Sequence, residues 1–178
     1  MATNQIDITQ ASIYVGTYAK YNDGSIFGKW LKLSDYADRN EFYEACAELH
    51  SDEEDPEYMF QNFEHIPKGL IGESWLSENT FEVFETLENL SDNNLEAFLI
   101  WCDNNQKDFS NNDIDDLISD FENDYVGFYD SDEDFARELV EQRHDLSDFA
   151  RQYFDYEAYA HDLFCGSYWS RDGHVFNN

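Results

Sequence analysis

Acidic residues recur through the middle of this chain at the spacing of helical turns. Glu78, Glu82, Glu85 and Glu88 are followed by Asp92 and Glu96, and then by Asp113, Asp116, Asp120 and Asp124. Steps of three or four residues stack side chains on one face of an α-helix. One carboxylate per turn is one negative charge about every 5.4 Å. Phosphates along one DNA strand are about 3.4 Å apart on the axis, the same order. A row of this kind breaks no bonds. Its chemistry is to attract Lys and Arg side chains that otherwise hold phosphate.

Other chemistry finds weaker support in the residues. His50, His65, His144, His161 and His174 are scattered, and none sits in a metalloprotease or zinc-finger frame. Asp130, Asp132, Asp134 and Glu141 fall at positions 1, 3, 5 and 12 of a calcium loop, but Phe135 stands where the loop needs Gly for its turn. That stretch reads as a capped helix start instead. Carboxylate pairs suited to glycoside hydrolysis are so common here that they discriminate nothing. No catalytic residue, cofactor or metal is expected.

The bulk charge explains why the rows stand out. Forty Asp and Glu face ten Lys and Arg, a net of −30 in 178 residues. Residues 51–130 hold twenty-two of the acids and only Lys68 and Lys107, a net of −20. A helix face normally mixes signs, since a Glu–Lys pair adds about 0.2–0.5 kcal/mol. Here that pairing is omitted. Such a field repels nucleic acid and anionic membranes. Thirty-one aromatic residues argue against disorder, because each ring can bury about 150–250 Å². Thirty charges match the phosphates of about 15 base pairs of duplex. Three readings of the rows remain open on composition alone: a functional polyanionic surface, an ordinary solvated face that favours solubility, and a surface for a basic partner protein.

The rows need elements to hold them. Ile13–Tyr18 and Ile26–Leu33 read as two strands around an Asn22-Asp23-Gly24 turn. Asn40–Leu49 reads as a helix, an acidic break runs from Ser51 to Pro56, and Tyr58–Phe63 reads as a third strand. Beyond Pro67 and Gly72 the period becomes helical. Phe81, Phe84, Leu87 and Leu90 form one apolar stripe, and Leu95, Phe98, Leu99 and Cys102 a second. Ser110–Asp113 offers a cap before Ile114, Leu117, Ile118 and Phe121. Val126–Tyr129 reads as a short strand, and Ser131 caps a helix through Phe135 and Leu139. Leu146–Phe164 is helical with a break near Asp155, and Tyr168–Phe176 reads as a hairpin about Asp172-Gly173. The expected class is α+β, with mixed α/β ends and a helical middle. Three small domains are expected: 1–68, 69–108 and 109–178.

Cys46, Cys102 and Cys165 are odd in number and far apart, so buried free thiols in a reducing compartment are expected. The first twelve residues are polar, and a loose leader is expected there. The start has neither a basic nor an apolar signal region, and the longest apolar run, Ala97–Cys102, is too short to span a bilayer. A cytoplasmic protein is expected.

Several stretches resemble the ArdA antirestriction proteins. Ile13-Tyr14-Val15, Tyr21-Asn22-Asp23-Gly24 and Gly28-Lys29-Trp30 are similar to the opening of that family. Asp124–Leu139 looks like its antirestriction segment, and Asp155–Leu163 and Tyr168–Phe176 match its ending closely. The likeness runs from about residue 12 to 178. It implies a protein of mobile elements that mimics DNA, binds type I restriction–modification enzymes at the methyltransferase core, and is not itself an enzyme. It also implies an elongated chain of three small domains that pairs through its C-terminal domain into a homodimer. Tyr125, Val126, Phe128 and Tyr129 are the candidates for that contact, with packing inside the domain as the other reading. The partner expected is a protein, with no nucleic acid and no membrane. The alternative function is an acidic adaptor or chaperone for a basic protein.

Overall fold

The computed structural model describes residues 6–178. Eight α-helices and two three-stranded antiparallel sheets are present among them, a mixed α and β architecture. The chain divides into two compact units. The first runs to residue 96 and includes 102–116; the second holds 97–101 and 117–178.

The first unit is built on strand β1 (Ser12–Thr17), which lies between β2 (Lys29–Lys32) and β3 (Tyr58–Glu64). Alternation sends Ile13, Val15, Leu31 and Phe60 to a buried face. Helix α2 (Arg39–Leu49) covers that face with Phe42 and Cys46. The Phe42 ring meets Phe60 and Tyr36 edge to face at 6.0 and 5.7 Å. Asp38 starts the helix, its carboxylate accepting from the backbone N–H groups of Asn40 and Glu41 at 2.7 and 2.9 Å. The pairing of β1 with β3 slips between Tyr14 and Val15, which leaves Gln61 as a bulge.

The expected hairpin about Asn22-Asp23-Gly24 is half right. The strands pair antiparallel, with Ile13 opposite Leu31 and Tyr14 opposite Trp30. No tight turn joins them. A short helix, α1 (Tyr18–Asn22), intervenes, and Gly24 at φ 81° follows its C-cap Asp23. Asn-Asp-Gly is therefore a helix stop. The leader differs too: Ile8–Gln10 forms a 3₁₀ turn, and Ile8 and Ala11 are buried. The first five residues of that leader lie outside the described residues.

Helix α3 (Thr80–Glu88) buries Thr80, Val83, Phe84 and Leu87. Phe81 and Leu90 are only half-buried, because the buried face is turned toward Thr80 and Val83. Helix α4 (Asp92–Asn104) buries Phe98 and Cys102 as expected, and also Ala97 and Trp101; Leu95 and Leu99 are half-buried. In helix α5 (Ile114–Asp124), Ile114, Leu117 and Phe121 are buried.

The second unit orders its sheet β4-β6-β5, from β4 (Tyr125–Phe128), β5 (Tyr168–Arg171) and β6 (His174–Asn177). Asp172 and Gly173 join β5 to β6 with φ of 52° and 87°, the paired positive values that a two-residue hairpin turn needs. Helices α6 (Asp132–Glu141), α7 (Asp148–Gln152) and α8 (Tyr156–Phe164) complete it. The break near Asp155 is real, with Asp155 capping α8. Ser131 caps α6 by accepting from the Asp134 N–H at 3.1 Å. The cysteines correct one expectation: Cys46 and Cys102 are buried, and burial pushes both thiols up to about 12, but Cys165 is exposed at the end of α8.

One ionic node ties α1 to the acidic segment that follows α2. The Lys20 ammonium donates to Asp52 at 2.7 Å, lies 3.1 Å from a Glu53 oxygen and contacts His50 Nδ1 at 3.0 Å. Thr17 donates its hydroxyl to Glu53 at 2.8 Å. The acidic break at 51–56 thus has a structural task. Hydrogen bonding to Lys20 lowers the Asp52 pKa. Burial works to raise that of Glu53, but the bonds from Thr17 and Lys20 outweigh it and the net shift is down. Burial opposes the Lys20 charge, and its carboxylate partners more than compensate, raising its pKa.

Lowered carboxylates stabilise the fold above their unfolded values and lose that contribution as pH falls through the lower folded values, below about pH 4. A raised lysine contributes below its unfolded value and loses the contribution as pH rises past about 10.5. Acidification also relieves the general repulsion, which acts in the opposite direction. The difference between wild type and Lys20→Met isolates the node. Urea midpoints should be lower for Lys20→Met across the neutral range, and the gap should narrow below about pH 4. A gap that stays constant to pH 3 would remove the ionic origin of the stabilisation.

Candidate functional site

Helix α3 separates its faces cleanly. Thr80, Val83, Phe84 and Leu87 point inward, while Glu82, Glu85 and Glu88 are exposed on the opposite side. Neighbouring Cβ atoms at such spacing are about 5–6 Å apart. Glu78 is exposed as well, but it precedes the helix, whose N-cap is Asn79. Asp92 opens α4 and is exposed; Glu96, one turn on, is half-buried. Among the described residues none of these six carboxylates enters an ion pair.

The second row is less uniform. Asp113 stands before α5 and caps it, its Oδ1 accepting from Asp115 and Asp116 N–H at 2.9 and 3.3 Å. Asp116 and Asp120 are exposed. Asp124 is half-buried and accepts the indole N–H of Trp101 at 2.9 Å. The cause is geometric. A step of four residues advances about 400° round an α-helix, so each acid sits about 40° further round. By Asp124 the row has drifted to the packed side. Exposed Asp115 and Glu122 lie on the outward face of α5, where a search for one unbroken row of fours misses them. Asp113 and Asp116 belong to the first unit, Asp120 and Asp124 to the second.

Of the four candidates for a subunit contact, two point into the second unit. Tyr125 stacks on Phe121 at 5.1 Å and its hydroxyl lies 3.0 Å from His174 Nδ1. Tyr129 packs edge to face on Phe135 at 5.0 Å. Val126 and Phe128 are exposed on β4, an edge strand, and Val126 is the bulged residue of its pairing with β6. The strand runs Tyr125–Phe128, one residue earlier than Val126–Tyr129.

His50, Asp52 and Glu53 are the one group among the described residues whose ligand atoms could converge on a metal ion. The Lys20 ammonium already sits among those atoms, so the group is an internal ion-pair node. No helix among the described residues is long and apolar enough to cross a membrane.

The family model described as Antirestriction protein (ArdA) matches residues 13–176. The chain belongs to that family. No curated protein matches it.

The hydrogen bond and the charge of Asp124 can be separated. Trp101→Phe removes the indole donor and leaves a half-buried carboxylate oxygen without it. This should cost about 1–3 kcal/mol in urea unfolding. Asp124→Asn keeps an acceptor oxygen and should cost less than Trp101→Phe. The opposite ranking would show that the charge, and not the hydrogen bond, holds α5 at that point.

Proposed function

We propose that this antirestriction protein is a polyanionic mimic of DNA. It occupies the DNA-binding groove of type I restriction–modification enzymes, at the methyltransferase core, and so keeps DNA out. The observation that carries this reading is the face of α3: exposed Glu82, Glu85 and Glu88, flanked by Glu78 and Asp92, none of them in an ion pair among the described residues. A protein that needed these acids only for solubility gains nothing by withholding lysines, since mixed pairs add about 0.2–0.5 kcal/mol each.

Much of an enzyme's affinity for DNA comes from Lys and Arg contacts to phosphates that ignore sequence. Carboxylates at comparable spacing would engage the same side chains. They need no base-edge recognition, so one inhibitor can serve against enzymes of different sequence preference. The partner-binding set is Glu78, Glu82, Glu85, Glu88, Asp92 and Glu96 with Asp113, Asp116, Asp120 and Asp124. The outer members carry the contact, while Asp113 and Asp124 also serve the fold. The reading includes an elongated three-domain chain, a cytoplasmic setting and a homodimer through β4, where exposed Val126 and Phe128 on an edge strand are available to a second copy.

The test is competition for duplex DNA bound to a type I methyltransferase. A variant carrying Glu78→Gln, Glu82→Gln, Glu85→Gln, Glu88→Gln, Asp92→Asn and Glu96→Gln should compete at least about tenfold less well. Its thermal midpoint should not fall, because like-charge repulsion is relieved. Wild-type binding should weaken steeply between about 50 and 200 mM salt. A six-fold variant that competes as well as wild type, or an affinity indifferent to salt, would refute the mimicry.

A further inference from the structure

Asn79 stands at the start of α3 and leaves its usual task undone. Asn is favoured before a helix because its side-chain oxygen accepts a backbone N–H of the first turn. Asn79 makes no such bond, and its φ and ψ of −90° and 8° lie outside the extended region usual at that position. Its oxygen accepts the Ser77 hydroxyl at 2.6 Å instead. Its Nδ2 donates to the Phe109 carbonyl at 2.6 Å, a bond across 30 residues of chain.

The segment that Asn79 reaches is itself well braced. Phe109 is buried. The Asp108 carboxylate accepts the Ser110 N–H and hydroxyl at 2.9 and 2.7 Å and the Asn111 side-chain amide at 2.9 Å. The Asp108 carbonyl accepts the Asn111 N–H at 3.3 Å and the Asn112 side-chain amide at 2.6 Å. Gly69, at φ 93°, admits Asp108 so closely that a Cβ there would lie 2.5 Å from Oδ1. Residues 69–80 and 108–112 are joined by that approach and by the Asn79 bond, all within the first unit.

Exposed acids lie close to both ends of this bond. Glu78 precedes Asn79 and Glu82 follows it in α3; Asp113, Asp115 and Asp116 follow Phe109 at the start of α5. From Phe109 to Asp113 an extended chain would span at most about 14 Å. The bonds to the Asp108 carbonyl curl the loop, so the separation is shorter. Repulsion between the two groups favours moving the loop away from α3, most strongly at low salt. A salt bridge could resist it only by consuming one of the acids. An amide that donates to a carbonyl ties the two segments and leaves every carboxylate free.

We infer that Asn79 is a positioning residue for the proposed contact with the target enzyme: its amide holds the acids at the start of α3 at a set distance from those at the start of α5. The inference rests on the proposed mimicry. Carboxylates fixed on one body reach several cations of a groove for a single loss of translational and rotational freedom. A second group on a loose loop has to be ordered on binding and gives part of that gain back. The Ser77 hydroxyl takes part by orienting the Asn79 amide.

The experiment is competition for duplex DNA bound to a purified type I methyltransferase, with Asn79→Asp against wild type. Asp adds a negative charge, keeps an acceptor for Ser77 and is as good a residue as Asn before a helix. Bulk charge and helix capping therefore both predict competition at least as strong as wild type. Positioning predicts the reverse, because the donor is lost and a carboxylate faces the Phe109 carbonyl. The variant should compete about tenfold less well. In a background carrying Asp113→Asn, Asp115→Asn and Asp116→Asn, the same change should cost about twofold or less, since the acids that the bond positions are gone. Circular dichroism and the urea midpoint check that each protein is folded. Where Asn79→Asp does not fold, Ser77→Ala takes its place and should show the same pattern with a smaller loss. Asn79→Asp competing as well as wild type would overturn the inference and leave the mimicry standing. A loss of equal size in both backgrounds, the mark of a purely structural role, would do the same. A six-fold acid variant that competes as well as wild type would overturn both.

Discussion

Repulsion among forty carboxylates acts on every part of this chain, and rings buried in each unit oppose it. In the first unit Phe42 is the centre, fully buried between Tyr36, Tyr43 and Phe60. In the second, Phe121 touches Phe98, Trp101, Tyr125 and Phe176, and Trp169 stacks on Phe176 at 4.1 Å. A buried Phe contributes about 1.5–3 kcal/mol, and an aromatic pair about 0.5–1.5 kcal/mol beyond area. One like-charge pair on a helix costs only a few tenths. A small number of rings therefore tolerates many exposed acids. The high aromatic content and the high acidity are one design: the first makes the second affordable.

The acids are not one population. Asp7, Asp38, Asp113 and Asp155 accept backbone N–H groups at helix starts, where the free amides and the helix dipole favour a negative group. Asp108 is held low by Ser110 and Asn111, which donate to its carboxylate. Asp145 is held at about 2 by Arg143, bonded at 2.8 and 3.0 Å. Asp132 accepts from Ser170 and Asp124 from Trp101. Such residues would persist in a protein of ordinary charge. Glu82 and Asp92 also stand in first turns, where the dipole favours them, but neither they nor Glu85 and Glu88 enter an ion pair among the described residues, which is why they, rather than the total, bear on function.

Elements with a strong local signal were legible in the sequence. Asp172-Gly173 demands a hairpin because both φ values are positive, and Ser131 with Asp134 marks a helix start. Asn22-Asp23-Gly24 misled because the same residues that make a hairpin turn also end a helix; what decides is Thr17, which caps α1 by accepting from Lys20 N–H, a local N-cap signal hidden in a run that reads as strand. Trp101 was missed because its partner Asp124 is twenty-three residues away. Lys20, Asp52 and Glu53 are likewise joined only by the third dimension. Cys165 shows the limit of residue averages: cysteines are usually buried, but this one follows the last turn of α8.

Spacing of three and spacing of four are not equivalent copies of a phosphate strand. Glu82, Glu85 and Glu88 step by three, so each lies about 60° back round the helix and the row winds left-handed. Asp116, Asp120 and Asp124 step by four, and their row winds right-handed by about 40° per step. A B-DNA strand turns right-handed once in about 34–36 Å. Neither row can follow it far: the first turns the wrong way, and the second completes a turn only after about 54 Å and meets the packed side of its own helix at Asp124. Each row can therefore match two or three phosphates at most. On the proposed reading, affinity has to be assembled from several short rows, each loosely fitted. That distribution suits a surface on which the outward carboxylates of each row are much alike, and it makes the loss of any one of them small.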